Sequence, residues 1–140
     1  MKKPNYTFGD VALEILSKMK KEHINSNQIK KEFDNIARQK KYIKGCPRST
    51  FYYVVAKGYL KGFSGFKLTD KQEKSNNSIC VDLALDYVQR NDVTNIAPST
   101  LWKYLELKST SSRNKDGAIQ HNNQMDVILA LFRANALDLN

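Results

Sequence analysis

The chain has 140 residues, with 23 Lys and Arg against 14 Asp and Glu, a formal net charge of +9 and 41% apolar residues. This length fits one compact domain or two very small ones, since domains most often run to ~100–150 residues, and the apolar content suffices for one core, which excludes disorder as the dominant state. No apolar run approaches the ~18–20 residues of a membrane span, and no apolar stretch of a signal peptide follows the opening Met1-Lys2-Lys3-Pro4, so a cytoplasmic chain without a membrane partner is expected.

The first predicted helix runs from Thr7 to about Glu22. Thr7 and Asp10 have the spacing of a capping box with Asp in place of Glu, and Val11, Ile15 and Met19, with Ala12 and Leu16 beside them, form an apolar stripe. A second helix starts near Asn25-Ser26, where Gln28 can reach back to the cap. It buries Ile29, Phe33, Ile36 and Ala37 and ends at Gln39-Lys40-Lys41. The run Phe51-Tyr52-Tyr53-Val54-Val55 has strand propensity, but Pro47 before it and Gly58 after it favour a helix from about Arg48 to Lys57. Lys61 to Asn77 reads as a linker with one short turn. Ser78 to Arg90 is expected to be a central helix, because Ile79, Cys80, Leu83, Ala84, Leu85 and Val88 cover more than half its circumference. Pro98 opens a further helix with Leu101, Trp102 and Leu105 inward, Lys108 to Ile119 reads as a polar loop, and a last helix runs from Asn122 or Asn123 to near Asn135.

The two halves align on each other. Asp10-Val11-Ala12-Leu13-Glu14-Ile15-Leu16 lies on Asp82-Leu83-Ala84-Leu85-Asp86-Tyr87-Val88 at an offset of 72, and after a five-residue shift Gly58-Tyr59-Leu60 lies on Asn135-Ala136-Leu137. Gly58 and Asn135 are both types that tolerate a left-handed helix end. The expected architecture is all-α, about six helices in a tandem pair of three-helix units. Residues 1–62 form a basic unit, 63–77 a linker and 78–140 a neutral unit packed on the first.

Lys44-Gly45-Cys46-Pro47, a short aromatic-apolar helix, Lys61-Gly62, and the later stretch His121-Asn122-Asn123-Gln124-Met125-Asp126-Val127 together resemble a family of small bacterial proteins classed as a domain of unknown function. The resemblance covers both halves and implies a helical fold without implying an activity.

Charge is unevenly spread. Residues 1–74 hold 17 Lys/Arg against 7 Asp/Glu, whereas 75–140 hold 6 against 7. Local excess of one sign favours polyanions. Arg48, Ser49, Thr50, Tyr52 and Tyr53 combine a cation, hydroxyls and aromatic rings near a helix start, the groups that commonly contact phosphates. Lys40, Lys41, Lys44, Lys57 and Lys61 flank them. The expected function is non-catalytic nucleic-acid binding through Lys40, Lys41, Lys44, Arg48, Ser49, Thr50, Tyr52, Lys57 and Lys61. DNA is preferred over RNA, because the second and third helices would act as a loose helix-turn-helix with the third in the major groove. The connection from Gln39 to Pro47 is longer than the three- or four-residue turn of that motif. A second-rank polar site comprises His121, Asn122, Asn123, Gln124 and Asp126, for which helix capping competes with ligand binding.

Catalytic and metal signals are thin. His23 and His121 stand at helix ends, and Cys46 beside Pro47 at a helix start is more often a packed or capping thiol than a nucleophile. No Cys-x-x-Cys, His-x-x-x-His or phosphate loop occurs, and Cys46 and Cys80 fit a reducing compartment, so no cofactor, metal or enzymatic reaction is expected. The rival function is a protein-interaction or adaptor domain of a bacterial or phage system whose basic face meets an acidic protein surface. A small enzyme using Cys46 or His121 ranks last.

Overall fold

The structure, a computed structural model, describes residues 7–40, 43–91, 95–109 and 123–138. Its elements there are helical: α1 Phe8–Lys21, α2 Ile29–Lys40 preceded by a 3-10 turn Ser26–Gln28, α3 Gly45–Ala56, the single turn α4 Asp70–Glu73, α5 Asn76–Arg90, α6 Pro98–Ser109 and α7 Gln124–Arg133. The all-α expectation holds. The polar loop expected over Lys108–Ile119 lies, beyond Ser109, outside the described residues.

The start signals act as their chemistry requires. The Thr7 N–H donates to Asp10 Oδ2 at 2.8 Å and the Asp10 N–H to Thr7 Oγ1 at 3.1 Å, a reciprocal capping box. At the α2 entrance the Asn25 N–H donates to Gln28 Oε1, while Asn25 Oδ1 accepts from His23 Nε2 at 2.7 Å. His23 is thereby a local turn residue on an exposed corner.

The core runs along α1, α3 and α7. Phe8, Val11, Ala12, Ile15 and Leu16 of α1 are buried, chiefly against α7, whose Val127, Ile128 and Leu131 face them. Gly9 sits at the closest approach, where a Cβ would come within 2.6 Å of the Asp126 carbonyl oxygen and 2.7 Å of the Ala130 Cβ. The third helix packs on α2, α5 and α7 and buries Phe51, Val54 and Val55, so the strand-like run resolves as helix. It begins at Gly45, earlier than the expected Arg48.

Both α3 and α7 end in the same way. Gly58 has φ +76° and Asn135 φ +56°. The Tyr59 N–H donates to the Val54 carbonyl and the Gly58 N–H to that of Val55, while Ala136 donates to Leu131 and Asn135 to Phe132, the paired bonds of a Schellman motif at each end. The tails then meet in one antiparallel bridge between Leu60 and Leu137, both buried. Its two hydrogen bonds, Lys61 N–H to the Ala136 carbonyl and Asp138 N–H to the Tyr59 carbonyl, are exchanged when the residues aligned in the sequence are interchanged.

The segment 63–77 hugs the first half. The Phe66 N–H donates to the Ala56 carbonyl, Leu68 is buried, and Gly65 lies so near the end of α3 that a Cβ would stand 2.4 Å from the Ala56 oxygen. The expected short turn within it is α4. On α5, Cys80, Val81, Ala84, Leu85 and Val88 are buried, but Ile79 is 37% exposed, because this helix packs one side on α3 and α7 and leaves another to solvent.

Asp82 on α5 accepts from the Tyr53 hydroxyl at 3.1 Å and the Tyr59 hydroxyl at 3.3 Å. Burial first, then the Asp82 charge, push both phenols above their ordinary range. In the unfolded chain these tyrosines ionise near pH ~10, whereas in the folded chain they keep their protons past it. Their contribution is therefore complete below pH ~10 and is lost as pH rises through the folded values. Urea denaturation at stepped alkaline pH should show stability falling above pH ~10, and Tyr53→Phe should flatten that fall.

Candidate nucleic-acid interface

An amphipathic α2 turns Ile29, Phe33 and Ala37 inward and leaves Lys31 and Arg38 exposed. Beside it, α3 offers solvent only a narrow edge. Arg48, Ser49 and Tyr52 are half-exposed along that edge, and Gly45 is the exposed residue at its start. Only four residues separate α2 from α3, a shorter connection than the sequence suggested. The third helix packs on α2, α5 and α7, and the edge carrying Arg48, Ser49 and Tyr52 is what it leaves to solvent.

The eight described residues among the nine expected contacts do not form one patch. Thr50 is fully buried and its hydroxyl donates to the Cys46 carbonyl one turn back, so it is a core residue rather than a phosphate contact. Arg48 Nη1 lies 2.7 Å from Asp34 Oδ2, both groups mostly shielded, which ties α2 to α3 and spends the arginine internally. Burial leaves the other carboxylate oxygen of Asp34 and Nε of Arg48 without a hydrogen-bond partner among the described residues. Lys57 Nζ is 3.3 Å from Glu73 Oε1. Lys44 stands at the start of α3, whereas Lys57 and Lys61 lie beyond its other end, roughly 18 Å away at 1.5 Å per helical residue. Lys40 ends α2, and Lys41 lies outside the described residues.

The second-rank cluster is partly joined to the first. Lys44 Nζ donates to Asn123 Oδ1 at 2.8 Å, and Asn123 Nδ2 donates to Asp126 Oδ2 at 2.9 Å. Asn123 precedes α7 with φ +71° and makes no side-chain capping bond; its side chain links Asp126 of α7 to Lys44 at the start of α3. Gln124 is buried. His121 and Asn122 lie outside the described residues.

What the fold does assemble is a cleft between α2, α3 and the α4–α5 corner, with a cavity of about 210 Å³. Ser49 and Tyr52 line it, as expected of the α3 edge. Lys30 and Lys71 line it too, and the sequence reading missed both. Lys30 Nζ lies 4.5 Å from the centre of the Tyr52 ring, and Phe66 meets that ring edge-on at 5.2 Å. Among the described residues no carboxylate lines this cleft. Elsewhere the sign reverses: a polar cavity of about 440 Å³ beyond the end of α3 is bordered by Asp82, Asp86 and Asp138. A third cavity, of about 280 Å³ and mainly apolar, opens under Met19, Ile29 and Phe63.

Three ion pairs consume Lys18, Arg48 and Lys57 within the first half. Lys31, Lys40, Lys67, Lys71 and Lys74 form no ion pair among the described residues, and Lys44 and Lys61 bond only to neutral Asn side chains. Among the described residues no group of three His, Cys, Asp or Glu is placed to hold a metal ion, and no helix is long and apolar enough to cross a membrane.

Fold and surface together define an all-α protein with a basic, aromatic-walled cleft. A family model described as a family of unknown function, DUF6979, matches residues 5–138, and the chain belongs to that family. No curated protein and no solved structure matches it.

Proposed function

We propose that the chain is a non-catalytic nucleic-acid-binding module that uses the cations of its first half. The observation that carries this reading is the set of lysines around α2, α3 and α4 left without carboxylate partners beside Tyr52 and Ser49. Exposed cations with hydroxyl and aromatic neighbours suit phosphates and bases. DNA is kept as the preferred partner, with RNA as the alternative tested beside it. Two free cysteines, Cys46 and Cys80, support a reducing cytoplasm as its setting. We also read the matched helix ends and the interchangeable bridge as traces of a duplicated three-helix unit of which one copy became basic.

The test is fluorescence anisotropy with labelled single- and double-stranded DNA and RNA at ~50 and ~200 mM salt. Micromolar binding that weakens at least about tenfold at the higher salt is expected, because each neutralised phosphate releases counterions. Replacing Lys31, Lys40 and Lys44 together by Gln should lower affinity for all sequences alike and reduce the salt slope by about 2–3. Absence of binding at ~50 mM salt defeats the proposal and leaves the basic half as a surface for an acidic protein.

A further inference from the structure

The cleft between α2, α3 and the α4–α5 corner has a shape and chemistry that narrow the partner further. Its cavity of about 210 Å³ falls below the ~300–1,000 Å³ of pockets that enclose drug-sized ligands, so it suits one planar ring system rather than a base pair. One wall is the Tyr52 ring and the apolar lining includes Leu68. The Tyr53 hydroxyl, also at the cavity, is committed to Asp82. The Ser49 and Tyr52 hydroxyls and the Lys71 ammonium make no hydrogen bond among the described residues, and Lys30 has only the Tyr52 ring beneath it. Two cations and two free hydroxyls thus converge on an aromatic wall with no acid among them.

That combination is complementary to a flat heterocycle carrying an anionic group. We propose that the cavity takes one unstacked base of a single-stranded nucleic acid, stacked on Tyr52, with Lys30 and Lys71 on the adjacent phosphates. The proposal rests on the nucleic-acid reading above and adds strand type and contact residues to it. When the base arrives, Lys30 exchanges the ring face for a phosphate oxygen, one cation contact for a stronger one. A base inside a duplex is paired and stacked and cannot enter without being extruded, so the cleft selects single strands.

The test uses the full chain at ~50 mM salt with three labelled probes of one length, about 12 nucleotides each: oligothymidylate, the same backbone lacking its bases, and a blunt duplex. The single strand should bind about tenfold more tightly than the abasic strand, the order expected of one stacked base, and more tightly than the duplex. Tyr52→Leu should abolish the preference for oligothymidylate over the abasic strand, whereas Tyr52→Phe should keep it. Ser49→Leu, which adds aliphatic bulk to the cavity lining, should likewise abolish that preference and serves if the first variant fails to fold. Equal affinity for all three probes overturns the base pocket and leaves general nucleic-acid binding standing. Failure of every probe to bind defeats both. Thymidine monophosphate competing as well as the oligonucleotide overturns the strand proposal in favour of a free nucleotide.

Discussion

An alanine in place of Phe51 is expected to lower stability by about 3–5 kcal/mol, the range for emptying a fully buried aromatic site. Phe51 has no solvent exposure, lies on the helix enclosed by α2, α5 and α7, and meets Phe33 at a ring separation of 5.8 Å. The ring therefore fills the seam between α2 and α3, and its neighbours, held by three helices, have little room to collapse into the space. Against a total stability of ~5–15 kcal/mol for a small domain, such a loss brings the chain near its unfolding threshold. Urea denaturation followed by far-UV circular dichroism measures it. A loss under about 1 kcal/mol would mean that the seam is not packed as described. Because Phe33 and Phe51 share the same void, the double variant should cost less than the sum of the two single ones.

Gly9→Ala should be almost as damaging although it adds a single methyl group. The Cβ would stand 2.6 Å from a backbone oxygen of α7, and a backbone atom inside a helix cannot step aside as a side-chain tip can. Helices α1 and α7 must then separate along their contact, a cost of about 3 kcal/mol at the upper end of ordinary overpacking. The corresponding drop in Tm is about 10 °C for a chain of this size. Gly45→Ala is the control. Among the described residues its Cβ would meet only Arg48 Nη2, at an ordinary 3.5 Å, so the variant should match the parent or gain up to ~1 kcal/mol from a stiffer unfolded chain. Thermal unfolding of the two variants side by side separates close packing at Gly9 from any general intolerance of glycine replacement.

Local signals were the readable part of this fold. Thr7 and Asp10 formed the box their spacing implied, and Gly58 and Asn135, matched in the sequence, adopted the same left-handed conformation. Pro47 and Gly58 outweighed the strand propensity of Phe51 to Val55, because end signals fix where a helix starts and stops while β-propensity expresses fit to a sheet surface that this fold does not provide. Position in space was not readable. Thr50 looked like a phosphate contact, yet a hydroxyl can satisfy itself on the carbonyl four residues back and enter the core. Arg48 looked free until Asp34, 14 residues away, came to face it. Lys30 and Lys71 were passed over because nothing in a one-dimensional pattern brings a helix lysine and a linker lysine to the same cleft.

The pairing of helices also decides when this chain can finish folding. The first helix rests chiefly on the seventh, and the third equally on the fifth and the seventh, so the contacts that close the core join distant parts of the chain. Such long-range closure is slow compared with local helix formation. During synthesis, Val11, Ile15 and Leu16 leave the ribosome long before Val127, Ile128 and Leu131 exist to cover them. The nascent first half is therefore an apolar surface bearing excess positive charge, already beside the polyanionic ribosomal RNA. Closure of the core must therefore wait until α7 has been made.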